Sequence, residues 1–153
     1  DYRDDDSARE AAKLARLGVP VAIGAHGQEA GIAAHWELWS FVRGGMTPVE
    51  ALRAGTIESA RSLGYDQDIG SLEPGKLADL VVLDGDPTKD IRNSDKVAKV
   101  MLGGRLYDAA TLNEELTGSR KRPAYWWEGK DGASGWSGPA GGGSTAHADE
   151  DDG

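Results

Sequence analysis

No cysteine occurs among the 153 residues, so neither a disulfide nor a thiolate metal site can form, and the redox compartment stays open. No apolar run approaches the roughly 20 residues that span a bilayer, which excludes a transmembrane helix. A basic stripe of the kind a nucleic-acid partner demands is also missing, and the formal net charge is −9. That charge is uneven. Residues 1–6 carry four Asp against Arg3, and residues 130–153 carry four Asp and one Glu against Lys130, which leaves −2 for the body between them. The chain is a near-neutral body with acidic ends. It opens DYRDDD without an initiator Met, so the lack of a visible signal peptide carries no information on export.

What is present suits a modest core with much loop: 39% hydrophobic residues, 28% charged residues and 22 glycines, with a mean hydropathy of −0.51. Ser7 as N-cap with Glu10 three residues on predicts a helix, with Ala11, Leu14, Ala15 and Leu17 at helical intervals and Gly18 as its stop. Val19-Pro20-Val21-Ala22-Ile23 then reads as a short strand without alternation, as a strand buried on both faces requires. It runs into a glycine-bracketed loop, Gly24-Ala25-His26-Gly27-Gln28. A second helix is expected over Ile32 to Val42, carrying Trp36, Trp39 and Phe41. Thr47-Pro48-Val49-Glu50 combines an N-cap, Pro at N1 and Glu at N3, and so starts a third helix reaching about Gly55. A fourth runs from Thr56 or Ile57 to Leu63.

The pattern then changes. Gly70-Ser71-Leu72-Glu73-Pro74-Gly75-Lys76 is turn chemistry, Ala78 to Asp84 a strand, and Val97 to Leu102 another strand. Gly103-Gly104 turns it into Arg105-Leu106-Tyr107. Thr111 to Leu116 reads as a short helix, and Tyr125-Trp126-Trp127 as an aromatic anchor. From Gly129 onward eight of twenty-five residues are Gly and the remainder mostly small or acidic, a composition that cannot offset its ordering entropy. Four segments are therefore expected: 1–69, 70–107, 108–128 and a disordered tail 129–153.

From Gly18 to Tyr107 the chain resembles the C-terminal end of the amidohydrolase superfamily of metal-dependent hydrolases. The segment from Gly70-Ser71-Leu72-Glu73-Pro74-Gly75-Lys76 through Leu83-Asp84 is very similar to the one by which those enzymes leave their barrel and enter a small β-sandwich. Met46 to Leu52 with Thr56, Ile57 and Ala60 resembles the preceding helix pair, and Val100-Met101 through Gly104-Arg105 the closing hairpin. The loop Gly24–Gln28 and Ala34-His35-Trp36-Glu37-Leu38-Trp39 look most like the subgroup joined to a TolB-like β-propeller. The fold implied is α/β: the last helix-strand-helix of a (β/α)₈ TIM barrel plus the C-terminal strands of a β-sandwich. The barrel is incomplete, since a closed one needs about 250 residues.

The function implied is hydrolysis of C–N bonds, in an amide, cyclic amide or small peptide-like substrate, by metal-activated water. The implied cofactor is a divalent metal, zinc. Its family ligands are a His-x-His pair, a carboxylate or modified Lys and further histidines, all from segments this chain lacks. The implied partners are the remaining barrel polypeptide, with or without a propeller, and a further copy of the assembly; the subgroup implies an extracytoplasmic setting. At the position where relatives commonly carry an Asp that takes a proton from the attacking water, this chain has His26. His26 is thus the expected catalytic residue and a candidate metal ligand. From their place in the loop, Gln28 and Glu29 are read as lining the rim of the substrate pocket, with solvated loop residues as the alternative. A loop histidine bonded only to backbone is the alternative. His35 reads as a half-buried helix histidine, since nine residues from His26 is no helical metal spacing. Trp36 and Trp39 read as packing, Asp79 and Asp84 as structural, and His147 as no site. The competing function is a non-catalytic structural or interaction module descended from such an enzyme.

Overall fold

The computed structural model describes residues 3–25 and 29–125. The chain divides into two compact units, Asp1–Lys121 and Arg122–Gly153. In the second unit the described residues are few, and the Arg122 guanidinium lies 4.2 Å over the Tyr125 ring. The tail expectation, like Trp126 and Trp127, lies outside the described residues. Among the described residues no helix is long and apolar enough to cross a membrane.

The first unit opens with four helices: α1 (Arg3–Arg16), α2 (Ile32–Arg43), α3 (Pro48–Ala54) and α4 (Ile57–Leu63). Helix α1 begins four residues ahead of the expected Ser7 cap. Asp5 and Asp6 place negative charge in its first turn, where the helix dipole favours it. Asp5 then pairs with Arg43 of α2, and Asp6 with Arg9. The face that α1 buries is made of Ala8 and Ala12, 3% and 1% exposed, while Leu14 and Leu17 stay in solvent. Small residues at i and i+4 let α1 approach the C-terminus of α2 closely, and Arg16 Nη2 donates to Gly45 O at 2.7 Å. Helix α3 starts as its sequence requires. Glu50 N donates to Thr47 Oγ1 at 3.2 Å while Thr47 N donates back to Glu50 Oε2 at 2.6 Å. That reciprocal amide bond is the main reason the Glu50 carboxyl is held below its usual range.

A three-stranded antiparallel sheet follows, in the order β1 (Leu80–Leu83), β2 (Val97–Leu102), β3 (Arg105–Asp108). Val81 faces Val100, and Val100 faces Tyr107; the β1–β2 register shifts between Val82 and Leu83. Gly103 and Gly104 both have positive φ, 54° and 76°, the signature of a type I′ turn that matches strand twist. Asp79 fastens that turn by accepting from Gly103 N at 2.6 Å, which is the structural role expected of it. A second sheet layer is not present among the described residues, and Val81 and Leu102 stand exposed.

Two expectations are corrected. Thr111 to Leu116 forms no helix. Asp108 accepts from Thr111 N and Oγ1 at 2.8 and 2.7 Å, and a carboxylate that takes a backbone donor this way turns the chain instead of propagating a helix. Glu114 then bridges back to Tyr107 and covers the outer edge of β3. Val19–Ile23 is likewise not a strand here. A strand exists only through its ladder, and no described strand pairs with this segment. Ile23 packs against the core of Leu38, Ala51 and Ile91, together with Trp39, Phe41, Val42 and Leu52; Val19 is 45% exposed.

Candidate functional site

The apolar segment 19–23 delivers the chain to Gly24 and Ala25, and helix α2 resumes it at Ile32. His26 and Gln28, the expected catalytic and pocket residues, lie outside the described residues, so their side chains have no stated position. What the structure does show is how the loop between these elements is held at its start. Gly24 N donates to Glu37 Oε2 at 2.6 Å. Glu37 stands in the second turn of α2, so the helix that follows the loop also grips the residue that begins it. Sequence reading missed Glu37: a contact across 13 residues to a backbone amide leaves no local signature.

The same helix grips the second half of the unit with its opposite side. Trp39 Nε1 donates to both Ile91 O and Ser94 Oγ at 3.0 Å, and Arg92 lies 4.1 Å over the indole. His35 Nδ1 is 3.1 Å from Ser94 Oγ, and its ring tilts against Trp39 at a centroid distance of 6.5 Å. Ser94 is 3% exposed. His35 is therefore the half-buried packing histidine that was expected, and Trp39 is packing as well. Trp36 is not: it is 49% exposed. Asp84 donates its own N–H to Lys96 O at 2.8 Å at the end of β1. Lys76 is also structural. Its ammonium, 11% exposed, donates to Asp66 O at 2.5 Å and Ser71 Oγ at 2.6 Å, which closes the turn from Gly70 to Lys76.

A cavity of about 210 Å³ opens beside the start of the apolar segment, between Val19, Val21, Met46, Ala54 and the Arg53–Glu58 pair. The pair closes at 2.6 Å. Burial pushes the Glu58 carboxyl up, but hydrogen bonds from Arg53 and Arg61 outweigh it and hold the group below its usual range. The pair is thus already satisfied within the chain. Among the described residues no group of three or more His, Asp or Glu could hold a metal ion. Those residues do not by themselves fit the metal that amidohydrolase superfamily enzymes generally use.

Helices wrapped around an apolar segment that ends in a loop, followed by an antiparallel meander, define a mixed α/β unit. Residues 5–107 match the amidohydrolase family, and the chain belongs to that family. Ochratoxinase of Aspergillus niger is 33% identical over 96 residues, a match that covers 60% of this chain and 20% of the relative. Imidazolonepropionase of Symbiobacterium thermophilum is 45% identical over 65 residues, covering 40% of this chain and 15% of the relative. Among solved structures, a Xaa-Pro dipeptidase with bound methionine aligns at a TM-score of 0.61 and 33% identity, over 67% of this chain and 25% of that one. Molinate hydrolase aligns at 0.60 and 27%, over 75% of this chain and 29% of its own. The chain spans about a fifth of the length of the curated relatives it matches.

Proposed function

We propose that this chain is the C-terminal part of a metal-dependent amidohydrolase that cleaves C–N bonds in amide or peptide-like substrates, and that other polypeptide completes its barrel. The observation that carries this is the family match over residues 5–107, with a Xaa-Pro dipeptidase, a molinate hydrolase and an ochratoxinase among the similar proteins. The apolar segment 19–23 supports the same reading. It has no strand beside it among the described residues and exposes Val19, and such an edge is normally paired. In the assembled enzyme the segment is the barrel's last strand, with parallel neighbours from outside this chain, and the sheet of β1–β3 is one layer of a sandwich. The residues Gly24–Gln28 and Ala34–Trp39 favour the subgroup joined to a TolB-like propeller.

His26 takes a proton from the attacking water in this reading, because loops beyond the C-terminal ends of barrel strands carry the reacting groups and imidazole accepts protons near neutral pH. Gln28 lines the substrate pocket. The metal, zinc in this proposal, takes its ligands mainly from the polypeptide outside this chain. The test is purification of the native assembly, intact mass of every polypeptide, metal analysis, and hydrolysis assays on N-acyl amino acids and Xaa-Pro dipeptides. A second polypeptide bearing a His-x-His strand, bound metal and a turnover that His26→Ala lowers about 10²–10⁴-fold is the expected result. A chain that purifies alone, without metal or turnover, overturns the proposal and leaves the non-catalytic module.

A further inference from the structure

The connector between α4 and β1 folds around an ammonium. Gly70 lies so close to α4 that a Cβ there would come within 2.7 Å of Ala60 Cβ and 3.0 Å of Ile57 Cα, and Leu77 N donates to Asp68 O at 2.9 Å. The connector is thereby fastened to the helix and closed on itself, with the Lys76 side chain largely buried in it. Lys76 Nζ donates to Asp66 O at 2.5 Å and to Ser71 Oγ at 2.6 Å, and Ile69 O stands at 3.5 Å. Ser71 gives its own proton to Glu73 Oε1 at 2.7 Å, so its oxygen turns lone pairs to the ammonium. The Glu73 carboxylate is 3.9 Å from Nζ and mostly in solvent. Two carbonyls and a hydroxyl thus surround the cation, and its counter-charge lies one hydrogen bond further out. Neutral oxygens arranged in this way can replace the hydration shell of a weakly hydrated monovalent cation.

We propose that residues 66–76 form a monovalent-cation site and that Lys76 is its tethered occupant. Lysine is a compact point charge on a flexible stem, so the chain supplies its own cation and the connector closes without one from solution. With the side chain cut back to alanine, the same oxygens take ammonium or potassium, ions close in size to the lysine head. They do not take choline, which is too bulky and has no N–H to donate, or lithium, which holds its water too tightly. The site lies wholly within the connector and is separate from the proposed hydrolytic chemistry.

The experiment is urea unfolding of the 153-residue chain in choline chloride, with ammonium, potassium or lithium exchanged for choline at fixed ionic strength. Wild type should not distinguish the salts. Lys76→Ala should be less stable in choline and should recover saturably in ammonium and potassium but not in lithium. At an ion concentration ten times its dissociation constant, the folding equilibrium of the variant should rise about tenfold. Lys76→Ala combined with Ser71→Ala, which removes one of the oxygens, should need higher ion concentrations for the same recovery. If Lys76→Ala is unfolded in choline, folding on addition of ammonium or potassium supports the site, and failure to fold with either overturns it. Equal recovery in every salt, recovery in none, or recovery of the double variant at the same concentrations as the single one also overturns it.

Discussion

Gly44→Ala should destabilise the helical part of this chain, and Gly55→Ala should not. Both glycines cap a helix in ordinary right-handed conformation, φ −74° and ψ −9° at Gly44 and φ −82° and ψ −2° at Gly55. Alanine can adopt either backbone, and by restricting the unfolded chain it should stabilise each by about 0.4–1 kcal/mol. Space decides the difference. A Cβ at Gly44 would lie 2.4 Å from the carbonyl carbon of Ala8 and 2.6 Å from its oxygen. Those atoms belong to the backbone of α1, so no rotamer change relieves the overlap and α1 must move by about an ångström. That movement would open the contact of Ala8 and Ala12, 3% and 1% exposed, and stretch the Arg16 to Gly45 O bond. Overpacking of this kind costs about 1–3 kcal/mol, which exceeds the entropic gain. At Gly55 the nearest atom is the tip of Leu38 at 3.1 Å, a flexible group that can yield by a few tenths of an ångström, so the two terms should nearly cancel. Urea unfolding followed by tryptophan fluorescence should place the Gly44→Ala midpoint clearly below wild type and the Gly55→Ala midpoint near it. Equal shifts at the two positions, or a Gly44→Ala midpoint at or above wild type, would refute the close approach of α1 to α2.

Trp39→Phe should cost about 1–3 kcal/mol, because it strips a donor from the Ile91 carbonyl and the Ser94 hydroxyl together. Ser94→Ala should cost less, since the indole keeps Ile91 O; a reversed order in urea midpoints would contradict the shared donor. Glu114 is held at a pKa of about 2, against 4.5 ordinarily, chiefly by the Thr117 hydroxyl and then by the Thr117 amide. A pKa lowered on folding stabilises above the unfolded value and is lost as pH falls through the folded one. Acid titration of stability should therefore steepen between about 4.5 and about 2, and Glu114→Gln should remove that part of the slope; identical slopes in the two proteins would refute the assignment.

Local chemistry was the legible part of this fold. Thr47, Pro48 and Glu50 announce a helix start because all three act within one turn, and the paired glycines 103 and 104 announce their hairpin for the same reason. Lys76 could be placed in a turn but not given its partners, since its ammonium serves carbonyls that no pattern marks. Ser7 misled because a cap-like residue was preceded by Asp5 and Asp6, which serve the helix dipole equally well. Val19–Ile23 misled for a deeper reason. Its hydrophobicity describes an environment with neighbours on both sides, whereas a ladder needs those neighbours to be present. The candidate site divides along the same line: His26 is visible from its loop and its resemblance, while Glu37 becomes visible only once α2 is folded back over Gly24.

Helix α2 ties together separate parts of the described residues. Three consecutive residues of α2 face three different structures. Glu37 holds the end of the apolar segment, Leu38 is buried with Ala51 and Ile91, and Trp39, with His35 one turn earlier, holds the 3₁₀ turn Ile91–Asp95 that leads into β2. Residues at i and i+2 lie on nearly opposite sides of a helix, so the grip on Gly24 and the grip on the 3₁₀ turn are separate contacts made by one helix. The consequence can be tested by mutation. A change that loosens Trp39 should tilt α2 and be felt at Gly24 as faster amide exchange. Coupling between two contacts is reciprocal, so a double-mutant cycle of Trp39→Phe and Glu37→Ala should show an interaction beyond the sum of the single effects; strictly additive effects would refute a helix that transmits between them.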